Sequence, residues 1–183
     1  FLVGVYALAS ALCAIPLISL TLAMNRKTLL LLLLAGFAVS NKVVGLSSSY
    51  DLIIAMRIVG GICAGIMWPM IAAYGTALVP VSMHGKAITI IMSGNTFGVS
   101  LGLPLMTYIG THVGWRTEFI ALGLIVALIG FLALKYLPNV PGEKRSQQNS
   151  PFAVLKNKGV LIVLLLTFLS VMAHYGSYTY ITL

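Results

Sequence analysis

The stretch "DLIIAMRIVGGICAGIMWPM" (51–70) carries one arginine, Arg57, inside an apolar run, followed closely by Gly60, Gly61, Ala64 and Gly65. A helix needs about 20 mostly apolar residues to cross a bilayer core, and this run is long enough. An arginine at the bilayer centre costs at least ~2.5–3.5 kcal/mol on insertion scales. Two positions are open to it. Asp51 marks the outer end of the run, and Arg57 lies about 9 Å along the helix from it, so the long stem can snorkel outward. Alternatively Arg57 faces the interior of a helix bundle. Gly61 and Gly65 continue its face one and two turns inward, and a bare face lets a neighbouring helix come close.

The rest of the chain makes the membrane reading general. Of 183 residues, 60% are hydrophobic and only 8% charged, against about 25% charged in a soluble domain. Spans are expected at 1–23, 28–46, 52–79, 87–111, 117–137 and 159–183. The fold class is therefore an all-α polytopic membrane protein with six visible transmembrane helices. The runs are too long for barrel strands and lack their alternation. Cys13 and Cys63 both sit in apolar runs, which predicts buried thiols and no disulfide or zinc framework.

The net charge of +8 is distributed as a topology signal and does not form a nucleic-acid surface. Arg26, Lys27, Lys86, Lys135, Lys144, Arg145, Lys156 and Lys158 fall in breaks on one side, against Lys42 and Arg116 on the other. That asymmetry predicts a cytoplasmic linker. The long break "KYLPNVPGEKRSQQNSPFAVLKNK" (135–158) has linker composition, with room for one interfacial turn at "FAVL".

The chain starts and stops inside apolar runs, so the expectation is a fragment cut at both ends. A cytoplasmic linker puts Phe1 outside, and one further helix before it returns the N-terminus inside. The visible helices then count as the second to the seventh. Residues 1–137 form an N-terminal bundle lacking its first helix, 138–158 the central linker, and 159–183 the truncated first helix of a C-terminal half. Two such halves are the plan of many secondary transporters.

Three motifs carry a family resemblance. "ISLTLAMNRKTLL" (18–30) partly fits a loop pattern G-x-x-x-D-R-x-G-R-[RK]-x-x-L through Arg26, Lys27 and Leu30, while Ile18, Leu22, Ala23 and Asn25 depart from it. Arg57, Gly61 and Gly65 fit R-x-x-x-G-x-x-x-G without exception. "SGNTFGVSLGLPLMTYIG" (93–110) carries Gly94, Gly98, Gly102 and Pro104 in the manner of an antiporter motif, with Met106 where a small residue is common. "GWRTEF" (114–119) adds a further signature. Over essentially its whole length the chain resembles the major facilitator superfamily, in particular the bacterial drug:proton-antiporter branch with sugar (arabinose-type) and purine-nucleoside efflux permeases.

The resemblance implies an incomplete major facilitator fold in a bacterial inner membrane. It implies Arg26 and Lys27 in a gating loop and Arg57 in transport or coupling. The departures at 18–25 put the gating interactions of the missing Asp in question. It also implies a partner for Arg57, a carboxylate or backbone group, on a first helix preceding Phe1. In the visible spans no carboxylate lies deep: Asp51 and Glu118 are at outer ends and Glu143 is in the linker.

Spacing alone singles out further residues. Gly94, Gly98 and Gly102 repeat every fourth residue on one face, which serves either plain packing or a pliable surface that rocks during transport. Pro104 lacks a backbone donor and is expected to kink its helix. Ser170, His174, Ser177 and Tyr178 share a face of the last span, so His174 and Tyr178 are substrate-cavity candidates. The alternative makes Tyr178 and Tyr180 an interfacial belt and His174 an interhelical donor. Asn95 needs a polar partner inside a span and is a third cavity candidate. Trp68, Met67 and Tyr74 rank below these.

No catalytic, metal or phosphate-cradling motif is present, so neither an enzyme nor a cofactor is expected. The leading reading is efflux of a small organic solute by proton antiport and alternating access, by a protein that is monomeric when complete. An importer or uniporter on the same fold, and a non-transporting membrane assembly or sensor protein, remain open from the residues alone.

Overall fold

The computed structural model describes the backbone of residues 2–142 and 157–181, and the side chains of 4–13, 16–17, 20–142 and 157–173. Among the described residues seven helices follow in order: α1 (Leu2–Thr21), α2 (Arg26–Leu46), α3 (Tyr50–Ala77), α4 (His84–Phe97), α5 (Leu103–His112), α6 (Trp115–Tyr136) and α7 (Lys158–Ile181). A 3-10 turn at Val81–Met83 precedes α4, and a π-helical turn at Gly98–Gly102 joins α4 to α5. No strand occurs among the described residues. Each expected span coincides with a helix, the fourth being α4 and α5 run together.

By length and composition, Arg26–Leu46, Tyr50–Ala77, Val81–His112 and Trp115–Tyr136 are each able to cross a membrane. Shorter apolar stretches, Gly4–Cys13 and Lys158–Ala173, lie in α1 and α7. The chain divides into two compact units, Phe1–Glu143 and Lys144–Leu183, and α7 belongs to the second.

Local chemistry sets the breaks. Asn25 caps α2, its side-chain oxygen accepting from the amides of Lys27 at 3.0 Å and Thr28 at 3.3 Å. These are two of the donors a helix start leaves unpaired. Pro104 has no N–H to offer the Ser100 carbonyl one turn back, and the ladder widens in the five residues just before α5. The expected disturbance at Pro104 therefore takes the form of a π-helical turn.

In the first unit, α1 packs along α3, and α2 lies between α3 and α6. The α1–α3 contact is close because Gly61 and Gly65 have no side chains. A methyl at Gly65 would lie 2.6 Å from the Ser10 carbonyl oxygen, and one at Gly61 would overlap that of Tyr6. On the other side of α2, Gly45 faces Arg116, Gly123 faces Ala38 and Lys42, and Gly130 faces Leu34. These pairings fix an antiparallel register between α2 and α6. Leu29, Leu30, Leu33 and Leu34 of α2 close an apolar core with Ile66, Met70 and Tyr74 of α3 and Ala133 of α6.

Outward-facing side chains are largely apolar too, among them Leu124, Leu128 and Phe131. Hydrocarbon is as apolar as they are, so such exposure is unremarkable in a bilayer. No residue of α4, the π-helical turn or α5 is buried among the described residues.

Gly65→Leu should therefore lower the thermal unfolding midpoint of the full-length protein in detergent, because overpacking costs about 1–3 kcal/mol. Gly98→Ala should not, since a methyl at Gly98 meets nothing within 4 Å. Equal effects from the two would contradict the close α1–α3 contact.

Candidate functional site

Arg57 occupies the face of α3 that continues into Gly61 and Gly65. Its guanidinium carbon lies 4.8 Å from the centre of the Phe119 ring and 5.1 Å from that of Tyr6. The arginine is thus held, half-buried, between an aromatic of α1 and one of α6. Cations over aromatic faces at this distance are attracted by the ring quadrupole. The Arg57 Nε is buried and has no hydrogen-bond partner among the described residues. Glu118, beside Phe119 in the first turn of α6, has its carboxylate against Gly110 of α5.

The resemblance pointed to a helix before Phe1 as the close neighbour of this glycine face. The neighbour found is α1, through the Tyr6 and Ser10 carbonyls. The same glycines that let the backbones approach bring the Tyr6 ring up to Arg57.

Polar groups behind the site are also satisfied locally. Ser40 of α2 donates to the Met56 carbonyl, one residue before Arg57, and crowds Gly60. Asn41 is buried and donates to the Phe37 carbonyl at 2.8 Å. At the far side of α6, Arg116 donates to the Ser47 carbonyl at 3.4 Å and stacks near Trp115 at 5.1 Å. This contact ties the α2–α3 turn to the start of α6.

A second constellation lies at the linker end. Residues 138–142, which composition assigns to the linker, lie against the bundle. The Tyr74 hydroxyl donates to the Pro138 carbonyl at 2.6 Å, and the Arg26 amide donates to that of Val140 at 2.9 Å. Leu137 and Val140 pack on the apolar core. Gly142 sits against the backbone of Ala23 and Met24 so closely that a methyl would not fit. Beside this strap, Thr21, Leu22, Arg26, Leu29, Pro69 and Met70 line a cavity of about 160 Å³. Arg26 is buried there. Lys27 stands at its neighbour position in the first turn of α2.

The remaining candidates of the first unit are not brought to either place. Asn95 is exposed on α4. Gly94, Gly98 and Gly102 have nothing within 4 Å of where a methyl would stand, and Pro104 follows them in exposed α5. His174 and Tyr178 fall within α7, in the second unit, and their side chains lie outside the described residues. Among the described residues no group of three His, Cys, Asp or Glu side chains is placed to hold a metal.

Sequence reasoning missed the two rings about Arg57. Tyr6 and Phe119 are unremarkable aromatics in their own runs, and only the packing of α1 on α3, with α6 brought in across α2, unites them. It also missed the strap, whose signal was Leu137 and Val140, two apolar residues at the start of the break.

Compared with known families, the chain matches the model described as Major Facilitator Superfamily over residues 1–183.

If the rings hold Arg57 through its charge, Phe119→Leu should destabilise the full-length protein by about 0.5–2 kcal/mol in the native background. The loss should shrink when Arg57→Met is already present. A double-mutant cycle on unfolding midpoints reads the difference. The same loss in both backgrounds would reduce Phe119 to packing.

Proposed function

The chain belongs to the major facilitator superfamily, a family of membrane transporters and not of enzymes, and on that footing we propose that the complete protein exports a small organic solute by proton antiport. It is a multi-pass membrane protein by its helices and its family. The proposed solute class is a sugar, a nucleoside or a drug, and the proposed location is a bacterial inner membrane with the linker cytoplasmic. Residues 1–137 would belong to the N-terminal half, 138–158 to the linker, and 159–183 would open the C-terminal half. The working unit would be a monomer with substrate bound between the halves near mid-membrane, open alternately to each side.

The observation that carries the reading is Arg57. A charged side chain is kept inside a spanning helix, between two rings, with one guanidinium N–H unpaired among the described residues. Intramembrane charges are expensive and mark ion and substrate pathways. The antiporter-type glycine and proline pattern at Gly94, Gly98, Gly102 and Pro104 supports efflux, and the π-helical turn inside it supports a helix that changes shape. Arg26 and Lys27 would act at the gate, where the strap and the α1–α2 loop meet. Asn95, His174 and Tyr178 remain proposed cavity residues.

The test uses the full-length protein in proteoliposomes. Solute flux should respond to an imposed pH gradient, and Arg57→Ala should abolish it while leaving membrane insertion intact. Flux indifferent to the gradient would remove proton coupling, and full activity in Arg57→Ala would remove Arg57 from the mechanism.

A further inference from the structure

Between α2 and α6, on the outside of the first unit, runs an apolar groove of about 410 Å³. Its walls include Leu31, Ala35 and Val39 of α2 and Ala127, Phe131 and Leu134 of α6. Measured from Leu31 to Val39, it is about 12 Å long at the helical rise. That is close to the depth of one leaflet of a ~30 Å hydrocarbon core.

Two lysines flank the groove at its linker end, and a single one, Lys42, follows Ala38 by one turn at the other. The antiparallel register that sets Gly130 against Leu34 and Gly123 against Ala38 puts the starts of α2 and the end of α6 at one level. Lys27 precedes Leu31 by one turn, and Lys135 follows Phe131 by one turn, so each lysine continues its wall of the groove toward the linker side. Lys135 lies in the last turn of α6, with its ammonium 5.2 Å from the Tyr136 ring centre. Asp51 and Glu118 are in the first turns of α3 and α6, at the opposite end of the bundle. The first amides of α2 are occupied: that of Arg26 by Val140, and those of Lys27 and Thr28 by Asn25. An anion at the mouth is therefore addressed by the side chains of Lys27 and Lys135.

An apolar slot one leaflet deep, capped by two cations at headgroup level, has the chemistry of an anionic phospholipid. A second copy of the chain related by a two-fold axis would bring the same lysines together, and their like charges oppose that occupant. We propose that the α2–α6 groove binds one anionic phospholipid from the linker-side leaflet, an acyl chain lying along Ala35 and Ala127 and the phosphate between Lys27 and Lys135.

Native mass spectrometry of the full-length protein, equilibrated in detergent with phosphatidylglycerol or phosphatidylcholine of the same acyl chains, tests this. Phosphatidylglycerol should be retained in preference, one tight copy per protein. Lys27→Gln and Lys135→Gln should each reduce its retention about fivefold, and together bring it to the phosphatidylcholine level. Ala35→Leu with Ala127→Leu, both at exposed positions, should fill the groove and lower retention of both lipids with unchanged thermal stability. Equal retention of the two lipids, indifference to the lysine substitutions, or a dimer that the groove-filling pair dissociates would each overturn the proposal. The readout is lipid retention, so it is independent of whether the protein exports anything.

Discussion

The close contact of α1 with α3 is the constraint on which the interior of the first unit depends. Inside a bilayer, helices gain nothing by hiding apolar surface from lipid, because the lipid is equally apolar. What holds them is dense packing and weak polar contact at short range. Gly61 and Gly65 provide it by letting the Tyr6 and Ser10 carbonyls sit where side chains would otherwise be. Carbonyls at that range also meet Cα–H groups, a small but repeated attraction. Arg57 stands one turn from Gly61 and inherits its surroundings from this contact. Were α1 held off by larger residues, the Tyr6 ring would withdraw and leave the guanidinium with one aromatic face.

The opposite end of the unit is built on different physics. There the core leucines of α2 meet Ile66, Met70 and Tyr74, and residues 138–142 are drawn onto them. Two backbone carbonyls of the strap are satisfied by the bundle, one by the Tyr74 hydroxyl and one by the Arg26 amide. Each such hydrogen bond is worth about 1 kcal/mol net, and Val140 adds apolar contact. The strap thus couples the end of α6 to the α1–α2 loop, which is where the resemblance places gating. A change in the tilt of α1 against α3 would be felt at Met24 and Ala23, against which Gly142 is seated.

The spans, their order and the glycine face were legible because each depends on local sequence: length of an apolar run and a four-residue spacing. Arg57 as an interior residue was legible as one of two choices, since glycines on its own face favour a neighbour. Its true surroundings were not. Tyr6 and Phe119 lie on other helices, far from it in sequence, and nothing in either run distinguishes a ring over a cation from a ring at an interface. The strap was hidden for the opposite reason. Its polar, proline-rich composition is correct for a linker, and two apolar side chains decided its place. At Pro104 the sequence announced a missing donor, while the choice between a kink and a wider turn belongs to the backbone around it.

Holding Arg57 between rings has a consequence that a salt bridge would not. A carboxylate facing the guanidinium in its plane occupies the N–H donors and neutralises the charge, and separating the pair inside a membrane costs several kcal/mol. Aromatic faces attract the cation from above and below and leave its in-plane donors unengaged. The unpaired Nε agrees with that division of labour. A charge stabilised in this way keeps its position while its hydrogen-bond partner is exchanged. An arginine held in this way is charged, half-buried and still available at Nε, and the α1–α3 contact is what makes room for it here.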